Sequence, residues 1–241
     1  MTITVLPFVY NSAILLSLAS NVVIVVFIAK KFGFTKDELF GALFYENAGI
    51  ILGAKALSYF QAPHAYDRFE IMRLGLSANG AIVGAMLCLA IFGLQYKKTM
   101  RQMFFTFMPS IPVMYAIGKV GCFFNGCCYG VVYSGFGSVM YRHSRFAPAE
   151  APVFPVQLVE SIVFAGIFIY MIRMIHKNRF DVCALGLGMI LSGVAKSALD
   201  FLRMSHVGQI ISLNQIISIV FVIIGLFLIF RVGVQERSVK K

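Results

Sequence analysis

The run Lys119-Val-Gly-Cys-Phe-Phe-Asn-Gly-Cys-Cys-Tyr-Gly130 gathers a cation, an amide, glycines and three thiols in twelve residues. Lys119 offers charge and Asn125 offers amide hydrogen bonds. Gly121, Gly126 and Gly130 let the backbone come close to a ligand or to another helix. Cys122, Cys127 and Cys128 are of a type that holds metals or runs redox chemistry. Their spacing, C-x4-C-C, matches no common zinc pattern, and the chain contains no C-x-x-C. The thiols are therefore read as small, apolar packing residues, and no metal is expected. Cys88 and Cys183 fall within apolar runs and take no special role.

A second set of reactive side chains lies inside apolar segments. Lys55, Lys119 and Lys196 are the cations there, and Glu46, Glu160 and Asp200 are the carboxylates. An ionised group in hydrocarbon costs several kcal/mol, so such residues face a wet cavity or one another. Lys196 and Asp200 are four apart and Asp200 and Arg203 three apart, which places all three on one helical face. Internal ion pairs that only hold a bundle together would account for some of this. Six charges are many for that purpose alone, and the expectation is a polar cavity with an anionic guest. A lipid phosphate is the anion most available at such a depth.

The elements that must position these groups follow from composition. Of 241 residues, 59% are hydrophobic and 13% charged, against about 25% charged in a soluble domain. The mean hydropathy is +0.84. A cytosolic globular enzyme is excluded, and so is intrinsic disorder. Apolar runs at residues 8–29, 39–60, 74–94, 103–124, 155–175, 182–201 and 211–230 predict seven membrane helices of about 20 residues each.

The net charge of +11 is a matter of topology rather than of nucleic-acid binding. With the N-terminus outside, thirteen Lys and Arg fall at inward ends and five (Arg68, Arg73, Arg142, Arg145 and Arg203) at outward ends. That is the bias of cytoplasmic loops. The expected fold is an all-α integral membrane bundle of about seven helices, N-out and C-in, forming one polytopic domain over residues 1–241. The first run reads as an anchor rather than a cleaved signal, and residues 125–154 as a small external loop region. Gly49 and Gly53 are spaced for close helix packing. For Gly80 with Gly84 and for Gly126 with Gly130, packing and backbone amides bared to a phosphate stand as equal readings.

The motif at Lys119 resembles the signature of the bacterial prolipoprotein diacylglyceryl transferases, Arg-x-Gly-Asn-Phe-x-Asn-x-Glu-x-x-Gly. Gly121, Phe123, Asn125 and Gly130 fall on it. The family's Ser-Phe-His-Gly-Gly-Leu-Ile-Gly block is met by Ser77-Ala-Asn79-Gly80-Ala-Ile-Val-Gly84. Its Pro-x-Gln-Leu-Tyr-Glu block is met by Pro155-Val-Gln157-Leu158-Val-Glu160. Its last block is met by Ser192–Arg203 and then Ser212-Leu-Asn-Gln215, and an early Gly-x-Arg by Gly53-Ala-Lys55. The chain departs from the pattern at Asn79, which stands for a histidine, and at Lys55, Lys119 and Lys196, which stand for arginines. Cys122 stands for an asparagine, Cys127 for a glutamate and Ser192 for a tyrosine.

The resemblance implies a multi-pass enzyme of the bacterial plasma membrane that uses no cofactor. It would move a diacylglyceryl group from phosphatidylglycerol to the thiol of a lipobox cysteine on a secreted preprotein. It places Asn79, Lys119, Lys196 and Arg203 in catalytic positions. Lys55, Gly80, Gly121, Asn125, Gly126 and Gly130 fall in substrate-binding positions, with Gln157, Glu160 and Asp200. Because Asn79 lacks an imidazole, His64 or His143 would have to serve as base. Two other readings remain open: a relative that binds phospholipid head groups with a different acceptor or without catalysis, and a thiol-based redox protein.

Overall fold

A computed structural model describes residues 1–61, 76–148 and 150–239. His64, Arg68, Arg73, Lys240 and Lys241, which entered the reading of base and orientation, lie outside the described residues. Eight helices carry the described chain: α1 (Pro7–Ala29), α2 (Lys36–Gln61), α3 (Ala78–Gln95), α4 (Met100–Phe107), α5 (Ile111–Asn125), α6 (Val156–His176), α7 (Val182–Asp200) and α8 (Leu213–Val239). This is the all-α membrane architecture expected. Without water, a spanning segment must satisfy its backbone internally, and a helix does so. The 23 residues of α1 reach about 34 Å at 1.5 Å each, enough for a hydrocarbon core of about 30 Å.

Among the described residues six helical stretches are long and apolar enough to cross a membrane. They correspond to six of the seven expected spans. The seventh, α2, has the length, with 26 residues, but Glu46, Asn47 and Lys55 dilute its apolar character. The fourth span, expected unbroken over 103–124, is interrupted by a short 3₁₀ turn at Met108–Ser110. Pro109 and Pro112 lack the N–H that an unbroken helix would use there.

The chain forms two compact units, Val22–Met108 and Met1–Asn21 with Pro109–Lys241. In the first, α2 and α3 meet backbone to backbone through Gly49, Gly53, Gly80 and Gly84. A methyl group added at Gly53 would meet Gly84 Cα at 2.7 Å, and one at Gly80 would meet Leu57 Cβ at 2.6 Å. Packing therefore explains Gly80 and Gly84 as well as the first pair. Gly53→Ala should cost about 1–3 kcal/mol by overpacking. Gly118→Ala, where a new methyl group meets nothing within 4 Å, should be neutral or stabilising. Thermal unfolding in detergent checks the pair; equal effects at the two positions would contradict this packing.

The same unit opens α2 with a capping box: Thr35 N–H donates to Glu38 Oε2 at 2.8 Å and Glu38 N–H to Thr35 Oγ1 at 3.4 Å. Lys98 adds an ion pair at 2.9 Å. The Thr35 backbone N–H first, and then the Lys98 ammonium, lower the Glu38 carboxyl from 4.5 to about 2. A carboxyl lowered on folding stabilises fully above its unfolded value and loses that stabilisation as pH falls through its folded one. The melting-temperature gap between wild type and Glu38→Gln should accordingly be widest above pH 4.5 and close as pH falls towards 2. A pH-independent gap would rule this out.

In the second unit α5, α6, α7 and α8 pack in sequence order. Residues 125–154 are more ordered than a simple loop. The strand β1 (Thr2–Thr4) pairs in parallel with β2 (Met140–Arg142), Ile3 opposite Tyr141. Ile3, Phe123, Val139, Tyr141, Ala147 and Val153 bury themselves together beneath it. The segment after α5 is stitched to the end of α7: Val131 N–H donates to Leu202 O at 3.0 Å and Met204 N–H to Tyr129 O at 3.2 Å. Gly130 bridges Arg203 at this point, and a methyl group on it would meet Leu202 O at 2.9 Å.

Candidate functional site

The second unit gathers its charged groups around one carboxylate. Glu160, one turn into α6, is fully buried. Its Oε2 lies 2.9 Å from Lys119 Nζ on α5, and its Oε1 lies 2.9 Å from Lys196 Nζ on α7. Arg203 Nη2, just past α7, donates to Oε2 at 3.2 Å, and Tyr115 Oη donates to Oε1 at 2.8 Å. Tyr115 precedes Lys119 by one helical turn, and its ring lies under both ammonium groups, 4.9 Å from Lys119 Nζ and 5.4 Å from Lys196 Nζ.

Asp200 closes the cluster from α7, 3.7 Å from Lys196 and 3.9 Å from Arg203, the i,i+4 and i,i+3 pairs expected from the sequence. It also accepts from Ser212 Oγ and, at 2.9 Å, from Asn214 Nδ2. Ser212 and Gln215 form the capping box of α8, each accepting the other's backbone N–H at 3.1 and 3.0 Å. The Ser212-Leu-Asn-Gln215 motif thus starts a helix and braces a carboxylate at once.

Three cations stand against two carboxylates, an excess of one positive charge. The residues involved are all at least nine-tenths buried, where such an excess is felt strongly. Arg203 Nε is buried and has no hydrogen-bond partner among the described residues. Burial alone would lower the Arg203 guanidinium, but Tyr115, Glu160, Cys128 and Asp200 together push it above its ordinary value. The cluster can therefore accept one anionic group and offer it an oriented donor.

Of the residues singled out from sequence, Lys119, Glu160, Lys196, Asp200 and Arg203 come together. They form one network rather than separate ion pairs. Gln157 sits one turn before Glu160 and holds the chain after α5, donating to Cys127 O at 2.9 Å and to Tyr141 Oη at 3.3 Å. Gly121 packs on α1, where an added methyl group would meet Ala13 Cβ at 2.7 Å. Asn125 ends α5, and Gly126 caps it in the left-handed region at φ 69°. Lys55, Asn79 and Gly80 belong to the unit Val22–Met108; Gly80 N–H donates to the Ser77 cap of α3 at 3.4 Å.

Four members of the cluster escaped the sequence reading: Tyr115, Ser212 and Asn214 as partners of Asp200, and His206. Tyr115 was detectable by its i−4 spacing from Lys119. His206 is buried, with Nδ1 3.6 Å from Asp200 Oδ2, and stacks edge-on to Phe201 at 4.7 Å. It is nearer the cluster chemistry than His143, which is exposed in the external segment with φ 62°.

The three thiols also converge. The sulfurs of Cys122, Cys127 and Cys128 lie within 4.8 Å of one another, and all three are free.

The family model described as prolipoprotein diacylglyceryl transferase matches residues 4–231. A phosphatidylglycerol–prolipoprotein diacylglyceryl transferase of Clostridium tetani is 28% identical over 224 residues, 90% of each chain. One from Clostridium perfringens is 27% identical over 83% of this chain and 81% of its own. Another from Pseudoalteromonas translucida is 27% identical over 86% of this chain and 82% of its own.

Proposed function

Because the chain belongs to the prolipoprotein diacylglyceryl transferase family, we propose that it transfers a diacylglyceryl group from phosphatidylglycerol to a cysteine thiol. The acceptor is the lipobox cysteine of a secreted preprotein, at the outer face of a bacterial plasma membrane. The chain works there as a single multi-pass domain. In the reaction an S–C bond forms to the glycerol carbon and the C–O bond to the phosphate breaks. Glycerol phosphate leaves, and the thiol proton passes to a base.

One observation carries this reading: three buried cations converge on Glu160 with one positive charge in excess and an Arg203 N–H unused among the described residues. A phosphodiester brings one negative charge, and the departing phosphate gains another. Fixed cations in a dry site stabilise that growing charge. Lys119, Lys196 and Arg203 are the groups assigned to it, while Glu160 and Asp200 hold them in place. Asn125, Gly126 and Gly130 shape the adjoining segment. Asn79 cannot take a proton, and His206 with Asp200 is the imidazole–carboxylate pair available instead.

The test incubates purified protein with phosphatidylglycerol and a synthetic lipobox peptide, and weighs the peptide. A gain of one diacylglyceryl group on the thiol is expected. An unchanged peptide, with phosphatidylglycerol retained on the protein, favours a second reading prompted by Asn79, Lys119 and Lys196: head-group binding without transfer.

A further inference from the structure

We propose that Cys122, Cys127 and Cys128 are the three protein ligands of a site for a thiophilic d10 cation, Zn2+ being the biological one. The local backbone explains why they meet. Gly126 N–H donates to Phe123 O at 3.3 Å and Cys127 N–H to Cys122 O at 3.2 Å. With Gly126 left-handed, this is a Schellman ending of α5. That motif folds the residue after the left-handed glycine onto the helix residue five positions earlier, where two apolar side chains usually touch. Here both positions are cysteines. Cys128 follows with φ 56°, a left-handed conformation that few side chains adopt, and its sulfur closes the triangle.

Zinc-site spacings such as C-x-x-C describe other backbone turns, which is why C-x4-C-C gave no signal. Thiolates around one ion at about 2.3 Å stand about 4 Å apart. Sulfurs already within 4.8 Å reach that geometry with small side-chain rotations. Binding releases the thiol protons to solvent as the three S–metal bonds form. Cys122 and Cys127 are half-buried and Cys128 is exposed, so the fourth position opens outward to water or an incoming ligand. Three protein ligands with one open place is the arrangement of zinc centres that act on a ligand. Thiolates are soft ligands, which suits a thiophilic ion.

The experiment reads metal binding and owes nothing to transferase activity. Full-length protein purified in reductant is titrated with Co2+ and Cd2+, following the sulfur-to-metal charge-transfer band, and then with Zn2+ by displacement. One ion per chain is expected. The C122S/C127S/C128S variant should bind weaker by more than about 100-fold, beyond what loss of an outer-shell partner does. In the same samples Zn2+ should protect the three cysteines together from alkylation while Cys88 and Cys183 react as before, a comparison made within one folded protein. Equal affinity in wild type and variant overturns the proposal. So does equal alkylation of the three thiols with and without Zn2+.

Discussion

Glu160→Gln is expected to destabilise the protein by about 3–5 kcal/mol, the cost of breaking a buried ion cluster by removing one partner. The carboxylate is the shared counter-charge of Lys119, Lys196 and Arg203. Without it, three cations face Asp200 alone, an excess of two positive charges in a site closed to water. A neutral amide can keep one or two of the three hydrogen bonds that Glu160 now receives, and cannot replace the ion pair with Lys119. Glu160→Asp keeps the charge on a shorter reach and should lose less. Thermal unfolding in detergent, followed by helical content, checks the order: wild type, then Asp, then Gln. A Gln variant that melts with the wild type would remove the carboxylate from the centre of this account.

Lys119→Ala and Lys196→Ala should do the opposite: leave the fold and remove the chemistry. Either change leaves two cations and two carboxylates, a neutral cluster in which Glu160 keeps Arg203, Tyr115 and the remaining lysine. What disappears is the excess charge that an anion needs. Transfer from phosphatidylglycerol should fall by about 100- to 1,000-fold, the usual effect of deleting one oriented donor to developing charge. Lys119→Arg retains the charge and adds a fork suited to phosphate, so it should recover activity lost in the Ala variant. Full turnover in both Ala variants would sink the assignment of these cations. The contrast with Glu160→Gln separates support of the fold from support of the reaction.

Much of this was legible in the residues themselves. Long apolar runs mark membrane helices because hydrocarbon admits few alternatives, and their ends moved by only a few residues except in α8, which runs on to Val239. Lys119, Glu160, Lys196, Asp200 and Arg203 stood out because an ion inside such a run demands a partner. Which partner it finds is a property of three helices at once, so the shared role of Glu160 could not be read from spacing along any one of them. Tyr115 was hidden by being an ordinary aromatic in an apolar helix. His206 and Ser212 lie in the connection between α7 and α8, where no periodicity marks a side chain. The pairing of Thr2–Thr4 with Met140–Arg142 joins segments far apart in sequence and was invisible for that reason. The convergence of the three thiols was not legible because C-x4-C-C meets through a helix ending, where no spacing pattern marks it.

The stitching of residues 129–131 to residues 202–204 has a mechanical consequence. Tyr129 and Val131 grip the backbone on either side of Arg203, so the stem of that side chain is tied to the segment beyond α5. A displacement of that outer segment would pull, through two backbone hydrogen bonds, on the residue that donates to Glu160.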